Sequence, residues 1–341
     1  METPPFLAAC RREPVPYTPV WLMRQAGRYM PEYRAVRRRL GFLELCKSPD
    51  AAAEVTVTAV EQLGVDAAII FADILLVLEP MGVGLEYEGG DGPVIRRPVR
   101  SAADVDRLAD VPAGALGYVA EAVRRARAAL SPNVAMIGFA GAPFTLATYL
   151  VEGGASRDYR HTKALMHADP GAWDALMARL VGAVADTLRE QIAAGADAVQ
   201  LFDSWVGTLS PADYRARVLP HMHALFAALP KGTPTIHFGT GTAGLLEALR
   251  AAGGDVIGLD WRVDLDAAWA RVGHDVAVQG NLDPAALLAP IPEIRAHTAA
   301  ILGQAAGRPG HVFNLGHGVL PDTPVDHARA LVDAVHELSR R

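Results

Sequence analysis

Lysine is nearly missing from this chain. Of its 32 basic residues only Lys47, Lys163 and Lys231 are not arginine. Any anion-binding site must therefore be built chiefly from guanidinium groups. None of the three lysines ends a predicted strand, which disfavours Schiff-base chemistry and a pyridoxal-phosphate mechanism. Cysteine is equally scarce. Cys10 and Cys46 form neither a disulfide framework nor a metal-ligand spacing, as expected in a reducing cytoplasm. There is no His-Glu-x-x-His and no His-x-His at the end of the first predicted strand, so no metal site is expected. Positive charge in excess is also lacking. The formal net charge of −6 argues against nonspecific nucleic-acid binding. The longest apolar run, 67–78, is interrupted by Asp73 and falls short of a membrane span. Residues 1–14 lack the basic-then-apolar order of a signal peptide, and a cytoplasmic location is expected.

What is present is a chain of 341 residues, 51% of them hydrophobic, enough for one large barrel or two ordinary domains. No linker divides it, so residues 1–341 are expected to form a single domain. Short runs rich in Val, Ile, Leu and Phe recur at 19–23, 67–72, 134–139, 198–203, 234–239, 256–261, 276–281 and 311–316. They alternate little, as strands buried on both faces of a parallel sheet do. Helix-like segments separate them. Ser48-Pro49, Asp169-Pro170, Ser210-Pro211, Asp283-Pro284 and Thr323-Pro324 each set a capping side chain before a proline at the first helical position. In the last helix Val325, Ala328, Leu331, Val332, Val335 and Leu338 form one apolar stripe. Eight strand–helix units of this length predict a distorted (β/α)₈ barrel of the TIM type. The long interval between the second and third strands suits a hairpin excursion, with arms at 83–87 and 94–97 and a turn at Gly89-Gly90-Asp91-Gly92.

In such a barrel, chemistry gathers at the C-terminal ends of the strands. Those ends carry Arg24-Gln25-Ala26-Gly27-Arg28, Asp73, 141–145, Asp203-Ser204-Trp205, Gly239-Thr240-Gly241, Asp260-Trp261, Asn281-Leu282-Asp283 and Gly316-His317-Gly318. Two arginines bracketing a glycine-containing turn suit a grip on several carboxylates or phosphates. Arg37, Arg38 and Arg39 follow on what reads as a solvated helix face. Asp73 is the sharpest single residue. A carboxylate inside Ile70-Phe71-Ala72-Asp73-Ile74-Leu75 needs either a raised pKa or partners, and the alternative role is a buried cap. His317 stands between glycines that let the backbone approach a ligand. His221, His223 and His237 read as structural, and Tyr149 on its own reads as a packed aromatic.

Gly239-Thr240-Gly241-Thr242-Ala243-Gly244, with Asp260 ending the next strand, matches a dinucleotide-binding fingerprint by spacing. Its position in the fifth of eight units, and the unexplained arginines at 24–28, make a dehydrogenase the second reading.

Taken together, Arg24-Gln25-Ala26-Gly27-Arg28-Tyr29, the segment 70–75, Gly138 to Thr145 running on through Tyr149 to Gly153, and Asn314-Leu315-Gly316-His317-Gly318 resemble the uroporphyrinogen decarboxylase family over essentially the whole chain. The resemblance implies a cytoplasmic lyase of porphyrin and haem biosynthesis, a single distorted barrel that pairs as a homodimer. It would decarboxylate the four acetate side chains of uroporphyrinogen III to coproporphyrinogen III with no metal or organic cofactor. It also implies catalytic roles for Asp73, Arg24 and Arg37. Substrate contacts are implied for Arg24, Gln25, Ala26, Gly27, Arg28, Asp73, Tyr149, Ser204 and His317. An arginine pKa above about 12 makes Arg24 and Arg37 reluctant acids and suits them to electrostatic anchoring. Within the same superfamily, a zinc- and corrinoid-dependent methyltransferase would need His-x-Cys, where this chain has His237-Phe238-Gly239. A tetrapyrrole carrier without catalysis would have no need of a buried Asp73.

Overall fold

The computed structural model describes residues 3–88 and 92–341. Its centre is a parallel sheet of seven strands: β1 (Ala67–Ile69), β4 (Ala135–Gly141), β5 (Ala198–Asp203), β6 (Thr235–Gly239), β7 (Val256–Gly258), β8 (Ala277–Gln279) and β9 (His311–Val312). They neighbour one another in sequence order, with helices between them, which is a TIM-like α/β arrangement. The register sets the ends of β5 and β6 level, Asp203 beside Gly239, whereas β4 runs four residues beyond Ile137, the partner of the last residue of β1, Ile69. Two further strands, β2 (Leu85–Glu88) and β3 (Gly92–Ile95), pair antiparallel as a separate sheet. The ladder continues through Arg96 N to Gly84 O and Arg97 N to Val83 O, both 3.0 Å. The regular strands start two residues away from the expected arms, at Leu85 and Gly92, while the ladder reaches the expected outer bounds at Val83 and Arg97. Most of the expected turn, residues 89–91, lies outside the described residues.

The predicted first strand, 19–23, is not a regular strand. Val20 makes a single parallel bridge to Phe313. The reason lies in the N–H groups, which side chains have claimed. Val20 N donates to Asp66 Oδ2 at 2.8 Å, Leu22 N to Gln25 Oε1 at 3.1 Å and Met23 N to Asn314 Oδ1 at 3.0 Å. Its other contacts still reach both ends of the sheet. Phe313 N donates to Pro19 O at 2.8 Å, beyond β9, and Asp66 N to Val20 O at 2.9 Å, just before β1.

Between these walls runs a buried polar chain. Trp21 Nε1 donates to Gln279 Oε1, and Gln279 Nε2 to Gln200 Oε1, both at 2.9 Å. Each amide in an otherwise apolar core is thereby satisfied. Four of the five expected helix caps form, by Ser48, Asp169, Ser210 and Asp283. Thr323 does not cap. The helix Val325–Leu338 starts one residue later than expected, Pro324 takes the cap position, and the buried Thr323 hydroxyl has no partner among the described residues. Ala328, Leu331, Val332 and Val335 of that helix are buried as expected, whereas Leu338 stays exposed. Among the described residues no helix is long and apolar enough to cross a membrane.

Candidate active site

The strand ends open on a cavity of about 300 Å³. Its floor is aromatic. Phe139 and Phe202 stack edge-on at 5.5 Å, and Phe202 and Phe238 at 5.9 Å. Around this apolar base stand Arg24, Asp73, Tyr149, Ser204 and His317. An apolar pocket with a few convergent polar groups is the usual form of a small-molecule site.

Arg24 sits at the tip of the turn that leaves the 19–23 segment, with a left-handed φ of 62°. Gln25 locks that turn from within. Its Oε1 accepts from Leu22 N, its Nε2 donates to Ala67 O at 3.1 Å, and its carbonyl accepts from Tyr29 Oη at 2.8 Å. Gln25 therefore lines the cavity, but its side-chain amide is already committed. The Arg24 guanidinium has no acceptor among the described residues and is free to bind an anion. Gly27, Arg28 and Arg37 do not line the cavity. Arg28 is exposed; Arg37 donates to Leu40 O at 2.6 Å and lies 5.7 Å over the Phe42 ring. Arg38 and Arg39 are exposed, as expected, and Arg39 lies 3.8 Å from Glu54.

Asp73 lies four residues past β1, on a loop whose entry is fixed by Thr56 Oγ1 accepting from Phe71 N at 2.9 Å. Its Oδ1 accepts two bonds, from Leu75 N at 2.8 Å and from Tyr87 Oη at 2.6 Å. Among the described residues nothing donates to Oδ2. Burial pushes the Asp73 pKa up, opposed by the Tyr87 and Leu75 hydrogen bonds and by the Arg24 charge. Tyr87 was not signalled by the sequence. It reaches Asp73 from β2, and only the alternation of Leu85 and Tyr87 hints at an inward face.

The turn after β5 presents Ser204 to the same cavity. It is held by Thr145, whose Oγ1 donates to Asp203 Oδ1 at 2.9 Å and accepts from Trp205 N at 3.2 Å. Tyr149, on the helix Pro143–Glu152, packs edge-on against Trp205 at 6.0 Å, and burial raises its pKa. His317 packs against Trp261 at 6.5 Å. Burial, and then the Arg24 and Arg262 charges, lower its pKa to about 4, so near neutrality the ring is uncharged. The flanking glycines are close to their neighbours, Gly316 against rigid backbone and Gly318 against a flexible side chain. A Cβ at Gly316 would strike the backbone of Asp260 and Trp261, and one at Gly318 would strike the Arg24 side chain.

The dinucleotide-like spacing is satisfied internally. Asp260 Oδ2 accepts from Gly241 N at 2.5 Å and from Arg262 Nη1 at 2.7 Å, and its Oδ1 accepts from Arg262 N at 3.0 Å. That carboxylate is buried and both of its oxygens are engaged within the loop, so it is not presented to a ribose. His237 is fully buried, 3.8 Å from Asp203 Oδ2. A side chain at Gly239 would meet Thr242 Cγ2 at 2.6 Å, so the position has no room for a ligand thiolate. Among the described residues no three His, Cys, Asp or Glu side chains are placed to hold a metal ion.

Comparison with known proteins shows the family and the fold. The family model described as uroporphyrinogen decarboxylase (URO-D) matches residues 1–338. A uroporphyrinogen decarboxylase of Roseiflexus sp. (strain RS-1) is 58% identical over 341 residues, covering 98% of each chain. One from Sorangium cellulosum (strain So ce56) is 58% identical over 337 residues, covering 98% of this chain and 96% of its own. Among solved structures, a methyltransferase from Methanosarcina mazei superposes with a TM-score of 0.80 at 20% identity, over 97% of each chain. At that identity the likeness is one of fold.

Proposed function

The chain belongs to the uroporphyrinogen decarboxylase family, and from that premise we propose that its cavity removes the four acetate carboxyl groups of uroporphyrinogen III, yielding coproporphyrinogen III. The observation that carries the reading is Asp73. One carboxylate oxygen is fixed by two donors while the other has none and borders an aromatic cavity. The substrate macrocycle is not conjugated, so its pyrrole N–H groups can converge on one acceptor. Asp73 Oδ2 supplies that acceptor.

The chemistry follows from the charges. Protonation of a pyrrole carbon beside the acetate-bearing carbon makes the ring a cation. Loss of CO₂ returns the bond's electron pair to that ring, and a proton delivered to the resulting exocyclic methylene forms the methyl group. Departure of the proton first placed on the ring carbon restores the aromatic pyrrole. The ring itself is the electron sink, so this route needs neither pyridoxal phosphate nor metal. A fixed carboxylate in a water-poor site stabilises the cation as it forms. Arg24 anchors substrate carboxylates, Ser204, Tyr149 and the uncharged His317 hydrogen-bond them, and Gln25 and Ala26 shape the wall. Gly27, Arg28 and Arg37 act from outside the lining, Arg28 and Arg37 as positive charge at the approach.

We also read residues 19–23 with the seven strands as a distorted eight-membered barrel and the antiparallel pair as a hairpin excursion. The chain reads as one domain over 1–341, since the C-terminal Arg341 N donates to Pro16 O at 2.9 Å. A cytoplasmic homodimer without nucleic-acid partners accords with the family and the net charge of −6.

The test is direct. Purified protein, with chelator and no added cofactor, should convert uroporphyrinogen III to coproporphyrinogen III. Absence of product, or methyl transfer that depends on zinc and a corrinoid, would overturn the assignment.

A further inference from the structure

We propose that Tyr87 is a positioning residue for Asp73: its hydroxyl, acting with the Leu75 amide, fixes Oδ1 so that Oδ2 is the oxygen presented to substrate. This deepens the decarboxylase reading and rests on it.

The hydroxyl-to-carboxylate distance of 2.6 Å is that of a short, charge-assisted hydrogen bond. The Leu75 amide reaches the same oxygen at 2.8 Å. Two donors on one oxygen, from different parts of the chain, prevent the carboxyl group from turning over. The Tyr87 ring is itself held. It packs 4.9 Å from Phe42, which sits 6.2 Å from Phe71 on the loop leading to Asp73. Its cross-strand neighbour Pro93 lines the same cavity. Tyr87 thus carries the antiparallel sheet's position to the Asp73 carboxylate.

The groups that face Asp73 are Arg24, Cys46, Tyr87 and Tyr149. Burial raises the Cys46 thiol to about 12, and raises both tyrosines above their ordinary value, so all three stay neutral where Asp73 titrates. Arg24 remains a cation throughout. His317 and the substrate carboxylates also titrate at acid pH but are common to every protein compared. A displacement of the acidic limb on changing residue 87 therefore reports Asp73, and Tyr87 is the largest single influence that keeps its carboxyl ionised against burial.

The experiment compares Tyr87→Phe with protein carrying 3-fluorotyrosine at position 87, over a pH range, in the uroporphyrinogen assay. Phenylalanine keeps the packing on Phe42 and removes the donor. The acidic limb of kcat/KM should then move upward by about one pH unit, the scale of a hydrogen bond to a charged group. Fluorotyrosine is the stronger donor and should move the limb downward. Opposite shifts cannot arise from a loosened fold. A limb unmoved in both proteins, or a uniform loss at every pH, overturns the proposal. Were Tyr87→Phe to fail to fold, the fluorotyrosine protein alone decides: a downward shift supports the proposal and no shift overturns it. Failure of the decarboxylase reading would look different, because the unmodified protein would then form no product.

Discussion

Asp66→Ala should destabilise the protein far more than a surface substitution does. Asp66 is 7% exposed and lies just before β1. Its carboxylate accepts from Tyr17 Oη at 2.9 Å, Val20 N at 2.8 Å and His336 Nε2 at 2.8 Å, tying the N-terminal segment and the last helix to the sheet. A hydrogen bond to a charged group contributes about 1.5–3 kcal/mol, and an orphaned buried N–H costs about 1–3 kcal/mol. Val20 is fully buried, so its N–H would find no water. Relief of the carboxylate's own desolvation offsets part of the loss, leaving a net of about 4 kcal/mol. At about 2 °C per kcal/mol for a domain of this size, the apparent Tm at a fixed scan rate should drop by about 8 °C. Tyr17→Phe removes one donor and leaves Val20 satisfied, so it should lose only about 3 °C, the low end for a half-exposed donor. Calorimetry of the two variants beside the unmodified protein decides the point. An Asp66→Ala protein melting within about 2 °C of the parent would refute the claim that this carboxylate holds 19–23 in place.

Two further outcomes follow from the cavity wall. The His317 ring should stay uncharged down to about pH 5 and titrate near 4. Because this folded pKa lies below the ordinary 6.5, its neutral form stabilises the fold fully above pH 6.5 and that contribution is lost as pH falls toward 4. Imidazole resonances titrating near 6.5 would contradict it. Gly316→Ala should cost about 1–3 kcal/mol of stability and lower turnover by at least about tenfold, since its Cβ meets rigid backbone rather than a flexible side chain. Gly303→Ala, inside the helix Ile291–Ala305 with open space around it, is the control and should be neutral or slightly stabilising.

What the sequence made legible, and what it hid, divides along physical lines. Buried parallel strands are signalled by short, unbroken apolar runs, and β5 falls where the composition places it, at 198–203. The first run, 19–23, has the same composition, yet side chains from Asp66, Gln25 and Asn314 take its N–H groups. Such claims cross as many as 291 positions and leave no local trace. Asp73 stood out because an unpaired carboxylate in an apolar run demands an explanation. Its partner Tyr87 did not, because an aromatic among alternating residues in a strand is ordinary. Gln25 was legible as part of the turn, but its task is to hold Arg24 from beneath. The 239–244 glycines mimic a nucleotide loop by spacing, and only the bond from Gly241 N to Asp260 shows the carboxylate to be already used.

The central claim is that Asp73 Oδ2 receives the pyrrole N–H groups. A structure of the protein with coproporphyrinogen III bound tests it most directly. All four pyrrole nitrogens should face Asp73, with at least one at hydrogen-bonding distance from Oδ2, while Tyr87 remains bonded to Oδ1. A macrocycle bound with its nitrogens turned toward solvent or the aromatic floor would contradict it.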